Sequence, residues 1–270
     1  MSLFYLFIVA IIQGLTEFLP VSSSGHLILL PNLTGQQDQG QFIDVAVHMG
    51  TLGAVILYFW KDVRIGLAGI PRMLTGRIDT PGSKLAFLLL IATIPVILLG
   101  LGLNLTGLDE TMRSVKVIGW TMLIFGLVLY WSDQKGKTEK AASDWSLRDA
   151  VIMGLWQAIA LIPGTSRSGA TISGARALGY TREDGAKIAM LMSIPTIFAS
   201  GLFLTLGVAA EADTTALKNG AIAAVFAFLS ALGALTLMMR LLRSVSFTPY
   251  VIYRVLLGIV LLTLAYSGVI

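Results

Sequence analysis

The chain has 270 residues, of which 56% are hydrophobic and only 13% charged, with a net charge of +4 and no cysteine. Soluble domains run at about 45–50% apolar and about 25% charged, so this balance excludes an ordinary soluble domain, and the missing cysteines exclude disulfides, thiolate catalysis and cysteine-ligated zinc. The basic excess implies no nucleic-acid partner, because basic residues in cytoplasmic loops raise the charge of most membrane proteins.

The apolar runs are long and lack the two-residue alternation of a barrel strand, so the expected class is an all-α integral membrane protein. The opening residues, MSLFYLFIVAIIQG, have no basic leader segment or small-residue cleavage site, and no removable signal peptide is expected. Residues 1–33 hold a short apolar run, then QGLTEFLPVSSSGH, then a second short run. A crossing helix needs about 20 apolar residues, so neither arm crosses alone. Such a break is tolerated at membrane depth only inside protein or against a wet cavity, and the segment reads as a re-entrant hairpin. Phe42–Trp60 is the first full span. A basic loop, 61–84, follows with Lys61, Arg64, Arg72, Arg77 and Lys84 against two aspartates.

Leu85–Leu105 is the second span and Val117–Trp131 the third, separated by a short loop at 106–116. Residues 132–149 are again basic, although four acidic residues dilute the signal. Residues 150–175 repeat the broken pattern, with an apolar run ending at Ile162 before PGTSRSGATISG. Three spans complete the chain: Ile188–Ala210, Asn219–Met239 and Val245–Ile270, with a loop at 211–218 and a basic site at Arg240 and Arg243. By the positive-inside tendency the three basic loops are cytoplasmic. The six spans then alternate without conflict, provided that each hairpin returns to the side it entered.

FLPVSSSG (Phe18–Gly25) lies over LIPGTSRS (Leu161–Ser168) at a shift of 143, which aligns the prolines, Ser23 with Ser166, Ala46 with Ala189 and Met49 with Met192. The expected organisation is one membrane domain made of repeats 1–131 and 150–270, linked by a cytoplasmic loop at 132–149. Three spans per repeat invert the second copy, so the hairpins enter from opposite faces and meet near the middle, where transporters of this kind bind their ligands.

Glu17, His26 and Arg167 are the ionisable groups of the two hairpins, and charge at membrane depth points to function by default. Arg167 offers a planar fork of donors suited to phosphate oxygens. Gly164 and Gly169 allow close backbone approach, while Ser166, Ser168 and Thr171 add hydroxyls at a helix N-terminus. Ser23 and His26 are three residues apart, on one face of a restarting helix, which suits a nucleophile and its base. Glu17 could orient His26, act as base itself, or hold a divalent cation that bridges phosphates. Bland readings stand beside these: a Glu17–Arg167 ion pair that only locks the repeats, and serine capping. His48 is expected to be packed or pore-facing, Gln13 to share the cavity of Glu17, and Arg254 to reach an interface or neutralise the site.

The stretches QGLTEFLPVSSSGH (Gln13–His26) and PGTSRSGAT (Pro163–Thr171), with the ending SFTPYVIYR (Ser246–Arg254), resemble the bacterial undecaprenyl-diphosphatases, also called bacitracin-resistance proteins. The resemblance covers essentially the whole chain. The family's first motif falls on Gln13, Glu17, Ser23 and His26; many members carry Glu in place of Gln13, and the Gln removes one potential metal ligand or base. The second motif brings over Ser166, Arg167, Ser168 and Thr171 as diphosphate-binding residues.

The resemblance implies hydrolysis of undecaprenyl diphosphate to undecaprenyl phosphate and inorganic phosphate. That step recycles the carrier lipid of peptidoglycan synthesis and confers bacitracin resistance. It also implies stimulation by Mg²⁺ or Ca²⁺, with Glu17 as the metal ligand, and a site open to the extracytoplasmic side of the bacterial inner membrane. A homodimer is compatible with the sequence. The alternative is a lipid-phosphate flippase using the same midplane anion site, for which a Ser–His pair is not needed. An intramembrane serine protease leaves Arg167 without a role.

Overall fold

The computed structural model describes residues 2–208 and 214–268. Its helices run α1 (Leu3–Phe18), α2 (Ser23–Thr34), α3 (Gln41–Tyr58), α4 (Trp60–Leu74), α5 (Pro81–Thr106), α6 (Leu108–Thr111) and α7 (Val115–Lys135). The chain continues through α8 (Leu147–Ile159), α9 (Arg167–Ala177), α10 (Arg182–Val208), α11 (Thr214–Leu241) and α12 (Thr248–Tyr266). Among the described residues there is no strand, and six helices are long and apolar enough to cross a membrane: α3, α5, α7, α10, α11 and α12. The protein is therefore an all-α, multi-pass membrane protein. The expected spans match these helices, with α10 starting six residues before Ile188. Ala210, part of the loop 211–218, and the final residues 269–270 lie outside the described residues.

One expectation is corrected. Residues 61–84 are not simply a loop, because α4 occupies Trp60–Leu74. Its Gly66 and Gly69 are buried, and α4 packs on α5, while Lys61, Arg64 and Arg72 stay exposed with Trp60, Ile65 and Leu67. A helix of this make-up lies along an interface rather than across the membrane. Lys61, Asp62, Arg64 and Arg72 keep its average hydropathy low, so a search for long apolar runs reads it as loop, although Val63, Leu67, Ile70 and Leu74 recur at helical spacing.

The remaining helices, α1 and α2, and α8 and α9, form two broken pairs whose 16-, 12-, 13- and 11-residue members are each shorter than a span. Each first arm packs against a span from the other half of the chain, α1 on α11 and α8 on α5. Both contacts are glycine-tight. A Cβ on Gly14 would lie 2.6 Å from the Ala227 carbonyl oxygen, and one on Gly154 would lie 2.6 Å from that of Ala92. The core beneath the broken pairs joins Phe18, Val55, Leu129, Ile172, Met190 and Leu235 from six helices with Phe247, the residue before α12.

A polar knot fastens the far end of α7. Asp133, 2% exposed, accepts hydrogen bonds from Arg176 (3.1 Å), Arg182 (2.7 Å) and the Phe247 amide (3.2 Å). The segment after α7 is thus docked rather than loose: Lys140 and Tyr180 both donate to Asp149, at 3.0 and 2.6 Å. Burial raises the Asp149 carboxyl, but the bonds from Tyr180 and Lys140 outweigh it and hold the group below its ordinary value.

Candidate active site

The two broken pairs turn in the same way. Among the described residues Ser22 and Ser166 are the non-glycine positions with positive φ, both at +71°. Each caps the helix that follows, accepting from the amide of Gly25 (3.3 Å) or Gly169 (3.1 Å). Each also meets the hydroxyl two residues on, Ser24 at 3.4 Å and Ser168 at 3.1 Å. Left-handed backbone is costly for a residue with a Cβ and persists only where the surroundings impose it. The caps correct the expected serine alignment by one position, because Gly164 lengthens the second turn. Ser22 matches Ser166, and Ser23 and Arg167 are the first residues of α2 and α9.

Glu17, near the end of α1 and 7% exposed, joins these two first residues. Arg167 Nη2 donates to its Oε1 at 2.5 Å, and Ser23 Oγ donates to its Oε2 at 2.6 Å. Gln13 Nε2 donates to the same Oε2 at 2.8 Å, which orients the carboxylate from one turn below. A carboxylate that already accepts the proton of a serine hydroxyl is placed as its general base. The ion pair between Glu17 and Arg167 exists, yet it carries Ser23 with it and lines a cavity.

His26 is directed elsewhere. Its Nδ1 donates to the Ser22 carbonyl at 2.7 Å, so in the neutral ring Nε2 accepts from the Tyr253 hydroxyl at 2.5 Å. Neither nitrogen bonds Ser23 among the described residues. His48, expected to be packed or pore-facing, comes to the site instead. Its Nδ1 donates to the Asp44 carbonyl at 2.6 Å, which leaves Nε2 facing Glu17 at 3.7 Å.

The hydroxyls of the second turn divide similarly. Ser166 lines the cavity. Ser168 donates across to the Leu19 carbonyl at 2.9 Å, tying the turns together, and Thr171 donates to the Arg167 carbonyl inside its own helix at 2.8 Å. Gly164 answers a packing need, since a Cβ there would lie 2.8 Å from the Ile118 carbonyl oxygen.

Arg254, from α12 and fully buried, supports both turns. It donates to the carbonyls of Pro20 (3.2 Å), Gly164 (3.1 Å) and Thr165 (2.9 Å), and to those of Thr121 and Met122 on α7. Among the described residues it forms no ion pair. A charged residue inside an apolar span was the available sequence signal; its carbonyl partners were not. With Arg167 and Arg254 against Glu17, the site carries excess positive charge and favours an anion.

Two hollows meet at Arg167. A polar cavity of about 190 Å³ is lined by Glu17, Ser23, His48, Ser166 and Arg167 among others. An apolar groove of about 560 Å³ runs between α5 and α10. Both are walled by Ala160, Arg167, Thr196 and Ser200. An occupant of such a pair has an anionic head and a long apolar tail.

The comparisons with known proteins agree in kind. Residues 6–260 match the family model described as bacitracin resistance protein BacA. The chain is 71% identical to the undecaprenyl-diphosphatase of Jannaschia sp. (strain CCS1) over 99% of its own length and 100% of that protein's. It is equally close to the undecaprenyl-diphosphatase of Ruegeria pomeroyi, again 71% over the same shares. Undecaprenyl-diphosphatase 1 of Rhodospirillum rubrum is 44% identical over 99% of this chain and 97% of its own.

Proposed function

The chain belongs to the bacitracin resistance protein family, and from that premise we propose that it hydrolyses undecaprenyl diphosphate to undecaprenyl phosphate and inorganic phosphate, recycling the lipid carrier for peptidoglycan synthesis. The observation that carries the reading is the junction of a polar cavity holding a Ser23–Glu17 hydrogen bond with an apolar groove. The diphosphate takes the cavity and the polyprenyl chain takes the groove.

Ser23 Oγ attacks the terminal phosphorus while its proton passes to Glu17. The bond from that phosphorus to the bridging oxygen breaks, and undecaprenyl phosphate leaves with the electron pair. Water then attacks the phosphoserine, and the proton held by Glu17 returns to the departing Ser23 oxygen. Arg167 stabilises the charge spread over the transferring phosphoryl oxygens. His48 Nε2, beside Glu17, is placed to take a proton from the attacking water.

Among the described residues no cluster of three His, Asp or Glu side chains could hold a metal alone. The donors present would suit Mg²⁺ or Ca²⁺ bound largely through substrate: Glu17 would supply one carboxylate, and Gln13 Oε1, buried and without a partner among the described residues, would supply an amide oxygen. A bound cation would offset charge on the diphosphate oxygens.

The groove also supports a reading of sidedness. Its walls reach Asn104 on α5 and Leu204 on α10, at the ends of those helices away from the basic loops 61–84 and 132–149. These features support a site open to the extracytoplasmic side of the inner membrane. The short first arms support re-entrant hairpins, and their exchanged packing, α1 on α11 and α8 on α5, supports an inverted repeat. A flippase would need the anion site but not the serine–carboxylate bond, which favours hydrolysis.

The test is phosphate release from undecaprenyl diphosphate by purified protein with Mg²⁺, with Ca²⁺ and with EDTA. Release that depends on the cation and falls at least tenfold in Arg167→Ala supports the reading. No release from folded protein overturns it.

A further inference from the structure

Gln157, in the last turn of α8, is 1% exposed, and neither its Nε2 nor its Oε1 has a hydrogen-bond partner among the described residues. A buried carboxamide left wholly unpaired is rare, and it calls for a ligand. Gln157 lines the apolar groove and not the polar cavity, one helical turn before Ala160, which lines both. The neighbouring hydroxyls are already engaged: Thr196 donates to the Met192 carbonyl at 3.1 Å and Ser200 to the Thr196 carbonyl at 3.0 Å. Among the described residues that line the groove, Gln157 is therefore the buried polar group left unpaired; Asn104, the other amide there, is exposed near the end of α5.

Resting on the diphosphatase reading, we propose that Gln157 Nε2 donates to the phosphoryl group attached to the lipid, the part that departs. The terminal phosphoryl must face Ser23 in the cavity while the chain fills the groove, so the lipid-side phosphoryl passes the wall that Gln157 and Arg167 share. A neutral donor suits that place. It stabilises charge arriving on the leaving phosphate without adding a second cation that would hold the product.

The experiment measures binding of three probes to wild-type protein, Gln157→Leu and Gln157→Glu in detergent: farnesyl phosphate, farnesol and inorganic phosphate. Farnesyl phosphate carries the lipid-side phosphoryl and tail; farnesol carries the tail alone. Gln157→Leu is expected to weaken farnesyl phosphate at least tenfold while leaving farnesol and phosphate within about twofold. Gln157→Glu, close to isosteric, is expected to weaken it further by repulsion. Equal loss for farnesyl phosphate and farnesol would mean that the groove has merely been disturbed, and overturns the assignment. Unchanged affinity in both variants, or no binding of farnesyl phosphate beyond that of inorganic phosphate, does the same. Absence of wild-type phosphate release would instead remove the diphosphatase reading itself, so the two failures are separable.

Discussion

Glu17→Gln keeps the shape of the side chain and removes its charge. Glu17 accepts from Arg167, Ser23 and Gln13 at 2.5, 2.6 and 2.8 Å, so the amide loses the base and leaves the guanidinium without its counter-ion. Loss of a positioned general base lowers turnover by about 10²–10⁴. Breaking a buried ion pair from one side costs about 3–5 kcal/mol. Arg167 keeps the Ser193 carbonyl at 3.2 Å and an 18% exposed side chain on the cavity, so the lower end of that range, about 3 kcal/mol, applies. Phosphate release and thermal melting in detergent read the two effects separately. The double variant Glu17→Gln/Arg167→Leu removes the stranded charge, and it should recover stability without recovering activity. Turnover of Glu17→Gln within about threefold of wild type would refute the assignment of the base.

Other substitutions probe the packing and the residues around the site. Gly14→Val and Gly154→Val each drive a side chain into the backbone of the opposing span; each should destabilise by about 1–3 kcal/mol or more, whereas Gly102→Ala, with open space around it, should be neutral or slightly stabilising in the same melt. Arg254→Met strands the carbonyls of Pro20, Gly164 and Thr165, and should lower both melting temperature and phosphate release although it lies behind the site. His26→Gln should cost far less activity than Glu17→Gln, since its nitrogens face Ser22 and Tyr253; the kcat ratio of the two variants decides. Asp149 has a lowered carboxyl, so its contribution to stability is complete above the ordinary carboxylate pKa of about 4 and is lost as pH falls through the lowered value; Asp149→Asn should flatten the acid limb of a melting-temperature profile.

The six spans were legible because a crossing helix must be long and apolar, and that signal survives without any tertiary information. Glu17, Ser23 and Arg167 were legible as charges and hydroxyls where hydrocarbon tolerates neither. Their linkage was not. Helical spacing pairs Ser23 with His26, but the left-handed Ser22 turn sends Ser23 back to Glu17 and leaves His26 toward Tyr253 on α12. His48 depends on α3 being set beside the end of α1, which no local pattern encodes. α4 was passed over because its charges break any long apolar run, although Val63, Leu67, Ile70 and Leu74 already repeat at the helical period.

The central claim is that the Ser23 hydroxyl, activated by Glu17, carries the chemistry. It is tested most directly by single-turnover phosphate release from undecaprenyl diphosphate with Ser23→Ala, run beside wild type at matched melting temperature and matched substrate binding. The expected result is a loss of at least about 10³ in rate with binding retained, beyond what removal of a capping or positioning hydroxyl would produce. A Ser23→Ala protein that binds substrate and releases phosphate near the wild-type rate would contradict it.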